Sequence, residues 1–313
     1  MSELKMIEAA ILAAGEGRRI LPITNFFPKP LLPIVTRPLL ENIILSLKRQ
    51  HIKKICINVH HLRGRIIDFL QRKQYDMEIE ISIEDRILGT GGGISRMRRY
   101  IKGENFVVHN GDVVTDMKIH DAFKFHKKKN GLATLLIEKR KHSKDIQIDK
   151  AGRIIDIAER LKPKGKAQGT FGFTGITILN RKIFDFLPED DFHDIIDTFA
   201  SLITEGENIF GFVCRNNYWS DIGTKEKYLL VHKEILIDRK YMLYDFSLPA
   251  TPFFIGKESL VSKKTELSGF VSIGENCYIG DTVRLENCVI FDNTILDDGK
   301  TYKNCIISKD FIG

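Results

Sequence analysis

A strand that runs directly into a loop unable to become a helix limits the folding of this chain more than any other feature. Ile7 to Ala14 is an apolar run of buried-strand length, and the segment Leu12 to Pro30 (LAAGEGRRILPITNFFPKP) carries Pro22, Pro28 and Pro30, with Pro33 just beyond. Proline lacks the amide hydrogen and its ring collides with the preceding turn, so the expected form is a long rigid loop. A backbone that wraps a polyphosphate needs glycine, so that amides approach the oxygens without an intervening Cβ, and fixed cations to balance the charge. Gly15 and Gly17 meet the first need, and Arg18, Arg19 and Lys29 follow within reach for the second.

The same residues exclude two common phosphate patterns. A P-loop needs a Gly-Lys-Ser/Thr run where this chain has Arg19-Ile20-Leu21, and a dinucleotide fingerprint needs a third glycine where Ile20 stands, then an immediate helix. Glycine turns after strands are common, so the glycine pair alone says little. Joined to Arg19, the prolines and Lys29, it specifies a different phosphate grip.

Residues 1–240 alternate short β-branched runs with amphipathic helical patterns, the signature of a layered α/β domain. Lys54 to Val59 and Phe106 to His109 read as strands; Leu40, Ile43, Ile44 and Leu47 fall at helical spacing, and Thr224 to Leu236 closes the domain as a helix. Ile79, Ile81 and Ile83 alternate as in a half-buried strand, followed by the glycine-rich LGTGGGI and a helix to Tyr100. Residues 241–260 form a connector containing LPATPFF, and 261–313 a tail with a six-residue period. Ile273, Ile279 and Leu285 make one row; Val271, Cys277, Val283, Val289 and Ile295 make a second, as expected of a triangular parallel β-helix with small or branched side chains inside.

The chain has 313 residues, enough for a large core plus a small module, and a formal charge of +7 from 48 Lys and Arg against 41 Asp and Glu. Basic runs at Arg96 to Arg99, Lys127 to Lys129 and Lys139 to Lys141 attract polyanions. They are short and lack interleaved aromatic residues, which argues against nucleic acid and leaves a solvated surface whose net positive field suits a triphosphate. Five cysteines without a CxxC spacing indicate neither a disulfide framework nor a zinc site. No apolar stretch reaches bilayer-spanning length and the start of the chain is not leader-like, so a cytoplasmic protein with reduced thiols is expected, with no membrane partner.

LAAGEGRRILPIT followed by PKPLLPI resembles the signature of the sugar-1-phosphate nucleotidylyltransferases, and LGTGGGI, HNGD (His109 to Asp112), FTGITIL (Phe173 to Leu179) and WSDIGT (Trp219 to Thr224) resemble later family blocks in the right order. The resemblance covers nearly the whole chain. It implies a Rossmann-like three-layer α/β nucleotidyltransferase domain with a mixed sheet, and a short C-terminal left-handed parallel β-helix. It also implies attack of a sugar-phosphate oxygen on the α-phosphorus of a nucleoside triphosphate, with release of pyrophosphate. Such a step needs positioning and charge neutralisation more than acid–base chemistry.

On the matching positions, Arg19 is expected to hold the leaving phosphates and Lys29 the reacting ones. Asp112 and Asp221 are expected to bind Mg²⁺, a hard cation that takes one or two protein carboxylates; without the motif an Asp beside Gly reads first as a turn or cap. Leu12, Ala14, Gly15 and Gly17, with Gly89, Thr90, Gly91 and Gly92, are the expected nucleotide contacts; a plain helix entry capped by Thr90 is the bland account of the latter group. Thr174 and Gly175 resemble the sugar's resting place, and Glu159 a glutamate that bonds its hydroxyls. The family's Glu-Lys-Pro is here Glu159-Arg160-Leu161-Lys162-Pro163, which leaves Arg160 or Lys162 as the sugar-phosphate cation. Arg18 replaces a small hydroxyl residue and receives no role; Asp116 reads as a turn or cap.

The blocks look most like the mannose-1-phosphate guanylyltransferase branch, favouring GTP, with UTP and N-acetylmuramate 1-phosphate as the alternative pair. A non-catalytic subunit of the same fold is a second class. Acyl transfer by the tail is a third, but no histidine follows His232 to act as its base. The tail is expected to serve packing and homo-oligomer assembly.

Overall fold

The computed structural model describes residues 7–35, 37–140, 145–161, 167–241 and 248–313. They form two compact units that interleave along the chain. The first comprises the residues up to Gly15 with Leu45–Val113 and Met117–Trp219; the second comprises Glu16–Ile44, Val114–Asp116 and Ser220–Gly313.

A mixed sheet of nine strands organises the first unit. Ile154–Ile157, Ile146–Ile148, Gly169–Asn180, Asn105–Asn110, Glu8–Leu12, Lys54–Val59 and Glu78–Ile83 lie side by side in that order, and Ala133–Glu138 pairs with both Gly169–Asn180 and Ile209–Val213. Glu8–Leu12 runs parallel to both neighbours, which is why its sequence is apolar on every residue but the first: a central parallel strand is covered on both faces. Gly169–Asn180 runs antiparallel to Asn105–Asn110 and makes the sheet mixed. Ala10, Cys56, Phe106, Val108, Leu135 and Phe199 are among the fully buried side chains of this core. The expected α/β architecture is observed.

The second unit contains the tail. Its strands pair in parallel, coil upon coil, in the manner of a β-helix: Phe253 with Val271, Glu266 with Arg284, Arg284 with Thr301. One expected inward position is wrong. The register steps by eighteen residues from Glu266 to Arg284 but by seventeen from Val271 to Cys288, with an irregularity between Ser268 and Val271. The later coils keep the shorter step, so Ile295 pairs with the exposed Tyr278 and is itself 69% exposed, while Leu296 pairs with Ile279 and is buried. A fixed six-residue period cannot register the loss of one residue. The remaining row members, Val271, Cys277, Val283 and Val289, are buried as expected.

The helix Lys225–Leu236 begins at Thr224, whose hydroxyl accepts from the Lys227 amide, and packs against the tail strands. Its buried His232 donates from Nδ1 to the Tyr228 carbonyl and accepts at Nε2 from the Val35 amide at 3.2 Å. Protonation would set a second N–H against that amide. Burial pushes His232 down to about 4, as it does His109 and His126. Groups whose folded pKa is depressed from 6.5 to about 4 bind fewer protons than in the unfolded chain between those values, so stability falls as pH drops through that window. We expect the urea midpoint to decline from pH 7 to pH 4.5 by an amount corresponding to roughly 2 kcal/mol per histidine; a midpoint constant over that range would contradict this.

No helix among the described residues is long and apolar enough to cross a membrane. All five cysteines are free.

Candidate active site

The proline-rich segment folds into three short 3₁₀ turns, Arg18–Ile20, Ile23–Asn25 and Lys29–Leu31, with no α-helix, as the prolines require. The two glycines differ in kind. Gly17 has φ +68°, and a Cβ there would stand 2.7 Å from Thr24 Cγ2, so the fold itself demands glycine. At Gly15 a Cβ would meet nothing within 4 Å, which leaves that face open to a ligand. Thr24 ties the loop by donating from Oγ1 to the Gly17 carbonyl at 3.1 Å.

Within the second unit the structure brings three expected residues together. Lys29 is buried, held between Pro28 and Pro30 at the start of its turn. Arg19 is exposed, and its guanidinium lies where a Cβ on Gly223 would come within 3.2 Å of Nη2; that Cβ would also meet Asp221 Oδ1. Glycine at 223 therefore lets Arg19 and Asp221 share one small space. Burial alone would raise the Asp221 carboxyl, but hydrogen bonds and charge from Lys227, the Gly223 amide and the nearby Lys29 outweigh it and hold the group below the usual carboxylate range. Lys227 Nζ donates to Oδ2 at 2.5 Å and the Gly223 amide to Oδ1 at 2.9 Å. Lys227 was not singled out from the sequence; its place in the first turn after the WSDIGT block is the signal that could have found it.

The loop also has a fixed back. Phe27 meets Phe291 edge-on at 5.0 Å, and Phe311 stacks on Phe26 at 5.8 Å and meets Phe27 at 6.4 Å. The C-terminal coil thus packs directly against the phosphate loop within this unit.

In the first unit, the carboxyl ends of Glu8–Leu12 and Asn105–Asn110 carry Leu12 and the HNGD block. Gly111 donates to the Leu12 carbonyl at 2.8 Å, and a Cβ on it would lie 2.6 Å from that oxygen, so only glycine can place Asp112 beside this strand end. Two buried residues that sequence reasoning passed over continue the framework. Asn58 accepts from the Ala13 amide at 2.7 Å and donates to Glu84 Oε1 at 2.7 Å, while Glu84 Oε2 accepts from the Leu88 amide at 3.2 Å. Leu12-Ala13-Ala14 is thereby locked to the start of the glycine-rich helix.

That helix, Gly89–Arg96, corrects one expectation. Thr90 lies inside it and does not cap it; its hydroxyl donates to Asp194 Oδ1 at 3.0 Å and accepts from the Ile195 amide at 2.9 Å. The faces of Gly89, Gly91 and Gly92 on which a Cβ would stand are filled by the chain at Asp191–His193, whose His193 carbonyl accepts from the Gly91 amide at 2.8 Å. These glycines admit protein backbone on that side. Beside the helix lies a largely apolar cavity of about 200 Å³ lined by Leu12, Thr90, Asn110, Phe173, Gly175 and Phe199, among others. It sits outside the carboxyl ends of parallel strands, where open α/β sheets bind ligands.

Gly175 (φ +78°) lies against Asn110 and lines this cavity. Thr174 does not: it is fully buried and spends its hydroxyl on the Leu136 carbonyl, while its own carbonyl accepts from Trp219 Nε1 at 2.7 Å. Both residues lie in the stretch between Phe173 and Thr177 where the pairing with Ala133–Glu138 is irregular. Arg160 pairs with Asp197 and reaches Asp194 at 3.9 Å, and Glu159 is exposed in a turn with φ +55°. Lys162 lies outside the described residues. Arg140, another residue the sequence reading passed over, stacks on the Trp219 ring at 3.9 Å and bonds the Phe173 carbonyl.

The sequence model of the family described as nucleotidyl transferase matches residues 8–237, well over half of the 313 residues. The chain belongs to the nucleotidyl transferase family. A second model, described as the GMPPB C-terminal domain, matches residues 250–312. The chain is similar to UTP–glucose-1-phosphate uridylyltransferase of Synechocystis, 28% identical with 94% of this chain and 85% of that protein aligned. It is also similar to mannose-1-phosphate guanylyltransferase 1 of Arabidopsis thaliana, 25% identical with 98% and 86% aligned. To the bifunctional protein GlmU of Methanococcus vannielii it is 30% identical but spans about half, 52%, of that protein's length. Among solved structures, HddC from Yersinia pseudotuberculosis has the same fold, with a TM-score of 0.62 at 24% identity over 74% of this chain and 100% of that one.

In this nucleotidyl transferase Asn58 ties Leu12-Ala13-Ala14 to the start of the glycine-rich helix within the first unit. Asn58→Ala leaves the Ala13 amide and Glu84 without their buried partner, at about 3 kcal/mol. A urea titration should show that loss; a change under about 0.5 kcal/mol would contradict the assigned bonding.

Proposed function

We propose that this chain transfers a guanylyl group from GTP to mannose 1-phosphate, giving the sugar nucleotide and pyrophosphate. The observation that carries the sugar and base is that relatives named mannose-1-phosphate guanylyltransferase align with nearly the whole chain. In this reading Arg19 holds the leaving phosphates and Lys29 the reacting ones, where a fixed cation gains most as charge shifts. Leu12, Ala14, Gly15 and Gly17 cradle the nucleotide, with Thr90 and Gly89, Gly91 and Gly92 at the base side. Gly175 and Asn110 face the sugar, Thr174 supports them from behind, and Glu159 with Arg160 or Lys162 completes that end.

Asp112 and Asp221 would hold Mg²⁺. The fit rests on donor chemistry: hard carboxylate oxygens, with Asp221 kept ionised by its surroundings. When bound, the ion would act as a Lewis acid that neutralises phosphate charge. Lys227, paired with Asp221, adds its charge to that of Lys29 in balancing the carboxylate. Residues 1–240 carry this chemistry in a three-layer arrangement, 241–260 connect, and 261–313 wind as a left-handed β-helix that brings copies of the chain together.

A second reading, uridylyl transfer, is favoured by the 28% identity to the Synechocystis enzyme. A substrate matrix decides: GTP, UTP, CTP and dTTP against mannose, glucose and N-acetylmuramate 1-phosphates. GTP with mannose 1-phosphate should give the highest kcat/KM; a UTP pair exceeding it at least tenfold would transfer the assignment to the second reading.

A further inference from the structure

The basic run Arg96 to Arg99 takes no part in the site described above. We propose that Arg96, Arg98 and Arg99, with Lys102 and Arg181, form a separate pocket in the first unit that binds a compact small molecule carrying two or more phosphate groups. These five cations line a concavity of about 400 Å³, a size suited to a small ligand. The lining holds two carboxylates, Glu189 and Asp190, so its formal charge is 5 − 2 = +3. Asp185, outside the lining, pairs with Arg98 at 3.0 Å and lowers the local sum by one.

The guanidinium groups are held in place before any ligand arrives. Arg181 donates from Nε to the Ile101 carbonyl at 3.2 Å, Arg99 lies over the Tyr100 ring at 4.8 Å, and Arg96 pairs with Asp190 at 2.6 Å. Planar forks fixed this way recognise phosphate by paired hydrogen bonds, and several in one concavity favour a ligand with more than one phosphate. A concave pocket of this size, without interleaved aromatic stacking surfaces, does not suit a nucleic-acid strand.

The pocket's Asp190 wall continues into Asp191–His193, the segment that fills the faces of Gly89, Gly91 and Gly92. Arg86 anchors the same wall by donating to the Asp190 carbonyl at 2.7 Å. An anion that draws Arg96 from Asp190 would therefore alter the packing of the glycine-rich helix, whose Thr90 lines the apolar cavity.

Amide hydrogen exchange with tripolyphosphate tests this by location, independently of the reaction catalysed. Binding should slow exchange at residues 96–103 and 189–193, and Arg99→Glu/Lys102→Glu should weaken the half-saturating concentration at least tenfold while leaving the thermal midpoint within a few degrees. Lys102→Glu alone, an exposed change, provides the same reading should the double variant fold poorly. Pyrophosphate and a sugar bisphosphate run as separate arms identify the source by which protects at lower concentration. No protection at these residues in the unaltered protein, or protection unchanged in both variants, would overturn the proposal.

Discussion

Lys29→Met should reduce kcat/KM for nucleotidyl transfer by about a thousandfold, the magnitude associated with losing one fixed charge at a reacting phosphate. Methionine keeps the length and apolar stem of the side chain, and the turn Lys29–Leu31 is set by Pro28 and Pro30, so its backbone survives the change. Lys29 is only 7% exposed and therefore acts in a poorly solvated setting, where a cation is worth more than at the surface. The thermal midpoint should move by only a few degrees. Arg18→Ala is the contrasting control: its side chain is 81% exposed and pairs with Glu16, and its removal should change kcat/KM by no more than about twofold. Steady-state kinetics on both variants separates a charge that acts on substrate from one that merely decorates the loop; a Lys29→Met enzyme within tenfold of the unaltered one would refute the role.

Removing Ser308–Gly313 should raise KM for the nucleoside triphosphate by roughly tenfold while kcat changes less than about threefold. The segment carries Phe311, whose contacts with Phe26, Phe27 and Phe291 back the phosphate loop. It also closes the last coil through reciprocal backbone bonds between Ile306 and Gly313, at 2.8 and 2.9 Å. Aromatic pairs of this kind contribute about 0.5–1.5 kcal/mol each beyond area burial. Losing two against the loop removes about one to three, and about 1.4 kcal/mol corresponds to tenfold in binding. Lys29, Arg19 and Asp221 do not belong to the removed segment, so the expected defect lies in loop order and not in chemistry. An unchanged KM would show that the loop holds its shape without the tail. Phe311→Ala should give a smaller shift in the same direction.

Local constraints explain what could be read in advance. Closely spaced prolines forbid a continuous α-helix, so the loop form was legible, as was Glu8–Leu12 from the apolar run that follows its first residue. Arg19, Lys29 and Asp221 stood out through the resemblance of their motifs, and the structure brings the three near one another. Asn58 and Glu84 were not, since each looks like an ordinary polar residue at a strand end until the fold brings the Ala13 and Leu88 amides to them. The glycines of LGTGGGI and HNGD share a composition but answer to different neighbours: the Asp191–His193 chain for the former, the Leu12 carbonyl for the latter. Thr174 and Gly175 were read as a pair, yet the hydroxyl of one is spent on the buried Leu136 carbonyl while the other lines the cavity. Ile295 was misplaced because one coil loses a residue, an event that leaves no mark in the period before it.

Nucleotidyl transfer to a sugar phosphate is tested most directly by following both products of one reaction containing GTP, mannose 1-phosphate and Mg²⁺. The predicted result is pyrophosphate and sugar nucleotide formed in equal amounts, with neither appearing when the sugar phosphate is omitted. Pyrophosphate or phosphate release that does not depend on any sugar 1-phosphate, or no product from any pair in the matrix while the protein remains folded, would contradict it.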